Sequence, residues 1–179
     1  MLIAVIFESM FGTTRAVADA IAEGLAPFGT VTVANVNDAG SSDAASTADA
    51  LVVGGPTHTH GMSRPASREE ARAWADDPAK RVTLDPTSPG TGVREWMETL
   101  HAVPLHLAAF DTRIDIAPLL SGRASTHIER TLTKRGAKAL APAESFLVSK
   151  QNVLEPDELT RARAWGARVG AALQSSIEG

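Results

Sequence analysis

Residues 2–7 read Leu-Ile-Ala-Val-Ile-Phe, an apolar run with no polar alternation. A strand with that pattern is buried on both faces, which is the signature of a parallel sheet covered by helices above and below. The run then stops, and Glu8-Ser9-Met10-Phe11-Gly12-Thr13-Thr14 leads into an amphipathic stretch whose Val17, Ile21 and Leu25 recur every four residues. The pattern predicts a strand, a short polar turn and a helix capped by Thr13 or Thr14. Such a turn aims free backbone N–H groups at one point and is a ready site for an anion, usually a phosphate.

The alternation continues along the chain. Residues 30–36 are β-branched and read as a second strand, and residues 37–47 read as a loop with a weak helix. Residues 50–54 (Ala-Leu-Val-Val-Gly) are a third strand, 91–100 a helix, 105–110 a fourth strand and 146–148 a fifth. Thr126 and Glu129 have capping-box spacing and open a helix that Gly136 closes. Pro156 starts a last helix with an apolar stripe of Leu159, Ala162, Trp165, Val169 and Leu173. Strands alternating with crossover helices predict one α/β domain over residues 1–179, three layers deep. Ligands of such sheets bind beyond the carboxyl ends of the strands, so the loops after strands one, three and four are the candidate site.

Residues 61–92 break the rhythm, being much longer than an ordinary connection of ~2–6 residues. The excursion holds four prolines and a second capping-box spacing, Ser67 to Glu70, which predicts a short helix over 68–75. Both its ends start from the carboxyl edge of the sheet. It is expected to fold over that edge beside residues 57–60, either as a lid or as surface structure packed through Trp74.

Composition excludes several classes. There is no cysteine, hence no disulfide scaffold, thiolate-held metal or thiol catalysis. A net charge of -4 with no basic patch argues against nucleic acid. No apolar run reaches the ~20 residues of a membrane span, and no cationic start precedes the first strand, so the expected compartment is the cytoplasm. There is no G-x-x-x-x-G-K-[ST] and no G-x-G-x-x-G, which disfavours Walker-type and dinucleotide sites.

The first loop resembles the phosphate loop of the flavodoxin family, T/S-x-T-G-N-T. Ser9, Gly12 and Thr14 match, Phe11 replaces the middle threonine, and Thr13 replaces the asparagine. Gly55-Pro56-Thr57 after strand three is similar to the family's first ring-binding loop. The resemblance implies a flavodoxin-like doubly wound sheet of five parallel strands in the order 2-1-3-4-5. It also implies flavin mononucleotide (FMN), with its phosphate on Ser9, Met10, Phe11, Gly12, Thr13 and Thr14. Its ring would lie against Pro56, Thr57, His58, Thr59, His60 and Gly61, and against Phe110, Asp111, Thr112 and Arg113. The function implied is electron transfer to a redox partner protein, or a small oxidoreductase acting on a quinone or porphyrinogen-like substrate.

Other readings stand beside these. The chain has no tyrosine to stack on a flavin, and the aromatic candidates near the loop are His58, His60 and Trp74. A flavodoxin-like domain without FMN, acting as a binding module, is the alternative function. His58 and His60 have a spacing that a metal can use, and Phe110 can equally end the core of its strand. Asp111 and Arg113 can pair at the surface or polarise the flavin edge. Gly122, Ser125 and Thr126 can bind a second anion or merely cap a helix. Arg64, Arg68 and Arg72 form either a solvated face or a phosphate contact. A receiver-like phosphoacceptor is disfavoured, because strand three ends in Gly54-Gly55-Pro56 with no aspartate.

Overall fold

The computed structural model describes residues 1–58, 61–116 and 122–179. Strands β1 (Leu2–Phe7), β2 (Thr30–Asn35), β3 (Ala50–His58) and β5 (His106–Ile114) are joined by a split fifth position, β6 (Lys138–Ala139) and β7 (Glu144–Val148). Their spatial order is β2-β1-β3-β5, with both β6 and β7 on the free side of β5, and every one of these pairings is parallel. This is the expected doubly wound order, with the last strand interrupted. β4 (Gly61–Met62) is a short antiparallel return onto the end of β3, pairing Thr57 with Met62 and His58 with Gly61.

Two cores flank the sheet. On one face Ile3, Val5, Phe7, Val52, Ala108 and Phe110 meet helices α1 (Thr13–Leu25) and α6 (Glu158–Glu178). On the other, Ala4, Ile6, Leu51, Val53, Leu107 and Ala109 meet α2 (Ser41–Thr47), α4 (Val93–Thr99) and α5 (Ala124–Thr133). Strand alternation sends successive residues to opposite cores, which is why these strands read as continuous apolar runs. Helices α1 and α6 touch backbone to backbone: a Cβ on Gly24 would stand 2.0 Å from the Arg163 carbonyl oxygen, and one on Gly166 2.3 Å from that of Ile21.

Several boundaries differ from the sequence reading, each for a local reason. No threonine caps α1. Its N-cap is Gly12 at φ 88, while Thr14 is buried and shares a 2.7 Å hydrogen bond with the Thr112 hydroxyl. The excursion helix α3 spans Pro65–Asp76, starting before Arg68 because Pro65 occupies its first turn. There the Ser67 hydroxyl accepts from the Arg64 N–H and donates to the Arg64 carbonyl, both at 2.9 Å. Helix α5 begins at Ala124, not Thr126, because side chains from the strands cap it: the Ala124 N–H donates to Thr57 Oγ1 and the Ser125 N–H to Asp111 Oδ2. Helix α6 begins after Asp157, two residues later than the Pro156 start. That register leaves Leu159 exposed at 41% while Ala162, Trp165, Val169 and Leu173 are buried. Strands β3 and β5 each run four residues past their expected ends, carrying their tips beyond the sheet edge toward the site.

Candidate functional site: a cleft at the carboxyl edge

The tips of β1, β3, β5 and β7 converge with the start of α1 on an open cleft. From the first loop the cleft takes Met10, Phe11, Thr13 and Thr14; from β3, Pro56, Thr57 and His58; from β5, Thr112 and Arg113. Gly12 holds the loop in the left-handed conformation, and a Cβ there would meet nothing within 4 Å, so the turn leaves open space beside the helix N-terminus. The first N–H groups of α1 have no acceptor within the helix. Thr13 Oγ1 lies beside them and donates to Asn152 Oδ1 at 3.3 Å.

Other residues of the sequence-predicted site lie behind the cleft. Ser9 is buried and its hydroxyl accepts the Gly12 N–H at 3.1 Å, so it braces the loop. Phe110 is fully buried on the α1–α6 side, edge-on to Phe146 and Trp165, and offers no face to a ligand. Asp111 is also fully buried. It does not pair with Arg113, because its Oδ2 accepts both the N–H and the hydroxyl of Ser125 at the start of α5. Arg113 instead donates to the carbonyls of Ile114 and Ile116. Gly61 sits in β4, close against His127: a Cβ on it would be 2.9 Å from the ring Nδ1. Thr59 and His60 lie outside the described residues. The Ala124 and Ser125 N–H groups are consumed by Thr57 and Asp111, so the start of α5 is not a second anion site.

Of the excursion, one residue reaches the cleft. Trp74 of α3 lines it, and Lys80 Nζ stands 5.2 Å from the Trp74 ring centroid. Two clamps hold the excursion. At its start, Arg68 is buried and binds the Ser63 hydroxyl at 3.1 Å and Glu95 of α4 at 3.2 Å. Arg68 therefore belongs neither to a solvated arginine face nor to a phosphate contact. At its far end, Asp85 receives two hydrogen bonds from Arg15 (2.8 and 2.7 Å), and its own N–H donates to the Met10 carbonyl at 2.7 Å. The guanidinium of Arg15 and hydrogen bonds from Thr87 pull the Asp85 carboxyl down to about 2, against the cost of burial. Arg15, in the first turn of α1, is engaged by Asp85 and is not among the residues that line the cleft.

Glu8, the first residue after β1, is buried, and burial pushes its carboxyl above the usual range. Its Oε2 accepts the Val93 N–H at 2.8 Å, while Oε1 has no partner. His58 is pushed the other way: burial lowers its imidazole, so the ring is neutral at pH 7. The sequence reading missed Ile114, Val148, Ser149, Lys150 and Asn152 in the cleft wall. The polar run Ser149-Lys150-Gln151-Asn152 after the last strand was the available signal. By the rule that placed the other three loops, it too should reach the carboxyl edge. Among the described residues no cluster of three metal-ligating side chains occurs, and no helix is long and apolar enough to cross a membrane.

This geometry matches known proteins. A family model described as a flavodoxin domain matches residues 4–68, which include β1, the first loop, β3 and the start of α3. The chain has a flavodoxin-like fold. No curated protein sequence matches it. Among solved structures, a flavodoxin from the domain Archaea is 18% identical, covering 97% of this chain and 99% of that one at a TM-score of 0.62. A WrbA-like flavodoxin from Agrobacterium tumefaciens is 17% identical, covering 97% of each chain at 0.62. Flavodoxin 2 from Bacillus cereus is 15% identical, covering 96% and 99% at 0.65. Identities this low show the fold.

Proposed function

We propose that the cleft binds FMN and that the protein is a cytoplasmic FMN-dependent redox protein. The observation that carries this reading is the cleft's two-ended chemistry. One end is the α1 N-terminus, with open space at Gly12 and the Thr13 hydroxyl. The other is a wall of Trp74, His58 and Met10 suited to a flat ring. The donor set fits a phosphate ester. Its donors are the first-turn N–H groups of α1 and the Thr13 hydroxyl, with Lys150 the nearby cation, since Arg15 is engaged by Asp85. Thr57, Thr112 and Arg113 would face the ring edge, where donors and a positive charge favour its reduced form. Bound FMN would supply one- or two-electron transfer, and the chain supplies binding, orientation and electrostatics.

The excursion bears on the choice between carrier and enzyme. A carrier needs an open ring edge for a partner protein, whereas Trp74 of α3 lines this cleft and the excursion that carries it is clamped at Arg68 and Asp85. That arrangement favours a small-molecule substrate, such as the quinone or porphyrinogen-like compounds the resemblance implies. One observation favours the module without FMN: the Thr13 and Thr14 hydroxyls already have partners in Asn152 and Thr112. The spectrum of the purified protein separates the two. The FMN reading expects a yellow protein that releases FMN on denaturation. A colourless protein that takes up no FMN on incubation would establish the module reading.

A further inference from the structure

Strand β2 is an outer strand of the sheet, and among the described residues it pairs with β1 alone. The bonds at its ends show which way its backbone groups point. The Thr30 N–H donates to the Met1 carbonyl and the Val36 N–H to the Phe7 carbonyl, so the even-numbered residues turn toward β1 and the odd-numbered ones outward. Asn35 agrees: its N–H donates to Asp38 Oδ2 at 2.7 Å and its carbonyl accepts the Asp38 N–H at 2.9 Å. Asp38 thereby closes that end of the strand. Val31 and Val33 remain, and no described residue bonds their outward N–H and C=O groups. The opposite edge of the sheet is covered. On β7 the Leu147 N–H donates to Glu158 Oε2, the Leu147 carbonyl accepts the Glu155 N–H, and the Ser145 carbonyl accepts from Arg161. A bare edge pairs with another chain unless charge, proline or a bulge blocks it. Residues 30–35, Thr-Val-Thr-Val-Ala-Asn, hold no charge and no proline, and their register with β1 is unbroken.

We propose that β2 pairs antiparallel with β2 of a second copy, joining the two sheets across a twofold axis at Thr32. The free groups select this register. Two opposed residues of an antiparallel pair exchange both N–H···O bonds only if both point outward. Val31 opposite Val33 of the second copy meets that condition, and symmetry repeats the pair with the roles exchanged, so every free group of both valines is satisfied. A slip of one residue sets outward groups against inward ones. A slip of two brings Val31 to Asn35, whose groups Asp38 holds, or Val33 to Gly29, outside the strand. Side chains agree with the backbone. Val31 and Val33 pair with Ile3 and Val5 of β1 on the α1 face, so valine meets valine there. Thr32 meets its own copy on the α2 face, hydroxyl beside hydroxyl. Charge is complementary too: N–H dipoles meet carbonyl dipoles, no charged side chain of the strand is brought against its copy, and the two Asp38 carboxylates stand at opposite ends of the joint. Strands of six residues make a small interface, in the weak class below ~1,200 Å². The dimer is therefore reversible, with a dissociation constant of about 10–500 μM.

Amide hydrogen exchange read by NMR tests the pairing residue by residue. Raising the protein from about 20 μM to about 1 mM should slow exchange at Val31 and Val33 several-fold, while Thr32 and Ala34, already bonded to β1, stay unchanged. Val33→Lys, at a residue 37% exposed, should abolish that dependence without lowering the melting temperature. The chain has no cysteine, so single-cysteine variants report the register independently. Under mild oxidation Thr32→Cys, at the twofold axis, should form a disulfide-linked dimer about tenfold faster than Thr30→Cys, whose position faces Ala34 of the second copy. Exchange at Val31 and Val33 that is independent of concentration, or equal crosslinking at positions 30 and 32, would overturn the proposal. No residue of β2 lines the cleft, so neither outcome depends on the FMN reading.

Discussion

The Asp85–Arg15 clamp ties the end of the excursion to the first loop, and its removal has a calculable cost. The Asp85 carboxyl is lowered from 3.8 to about 2. A shift of that size is worth about 2.4 kcal/mol at full weight, using ~1.36 kcal/mol per unit. The full weight does not apply. The Asp85 side chain is 1% exposed but Arg15 is 36% exposed, so the pair lies near the surface and solvent screens it. About 1–1.5 kcal/mol is the reasonable share for the charge. Asp85→Asn keeps an acceptor for the Thr87 N–H and hydroxyl and should cost that amount. Asp85→Ala also loses those two hydrogen bonds and should cost about 2–3 kcal/mol. At ~2–4 °C per kcal/mol for a chain of this size, the alanine variant should melt about 4–12 °C lower. The pH dependence follows from the sign of the shift. A depressed carboxyl stabilises the fold above its unfolded pKa of 3.8, and that stability is lost as pH falls through about 2. Urea denaturation of wild type and Asp85→Asn should therefore differ fully at pH 6 and converge toward pH 2. Equal stability at pH 6, or a gap that persists undiminished at pH 2, would refute the reasoning.

Three further outcomes follow from the same geometry. Glu8→Gln keeps the acceptor for Val93 and removes a carboxyl that burial disfavours as an anion, so the variant should be at least as stable as wild type at pH 8. Because the folded pKa is raised, wild type should gain on the variant as pH falls toward the ordinary value of 4.5, which melting curves across pH will show. Gly12→Val forces a β-branched residue to φ 88 at a cost of about 1–3 kcal/mol and fills the open space, so FMN affinity measured by calorimetry should fall sharply. Trp74→Leu removes a ring that is 41% exposed; it should leave the melting temperature nearly unchanged while weakening FMN and abolishing much of the tryptophan quenching on binding.

How much of this was legible beforehand depended on whether the decisive contact was local. The apolar run 2–7 announces a doubly covered strand because burial on both faces leaves no room for polar residues, whereas the strand order is implied only by the resemblance in the loop after it. The rule that ligands sit beyond the carboxyl ends brought out Thr13, Thr57, His58 and Thr112 for the same reason. Thr14 looked like a cap because a threonine before an apolar stripe usually is one. Its burial against Thr112 depends on a residue 98 positions away. Asp111 likewise reads as a loop residue, yet it caps α5 from the tip of β5, and only the extra length of that strand makes this possible. Trp74 joins the cleft through two clamps, Arg68–Glu95 and Asp85–Arg15, whose partners lie far apart in the chain and leave no periodic trace.

The most direct test of the FMN reading compares two ligands that differ only by the phosphate. Protein stripped of any bound flavin is titrated with FMN and with riboflavin, following flavin fluorescence. The account predicts one FMN per chain and markedly weaker riboflavin binding, because the α1 N-terminus and Thr13 act only on the phosphate. Equal affinity for the two, or no saturable binding of FMN, would contradict it.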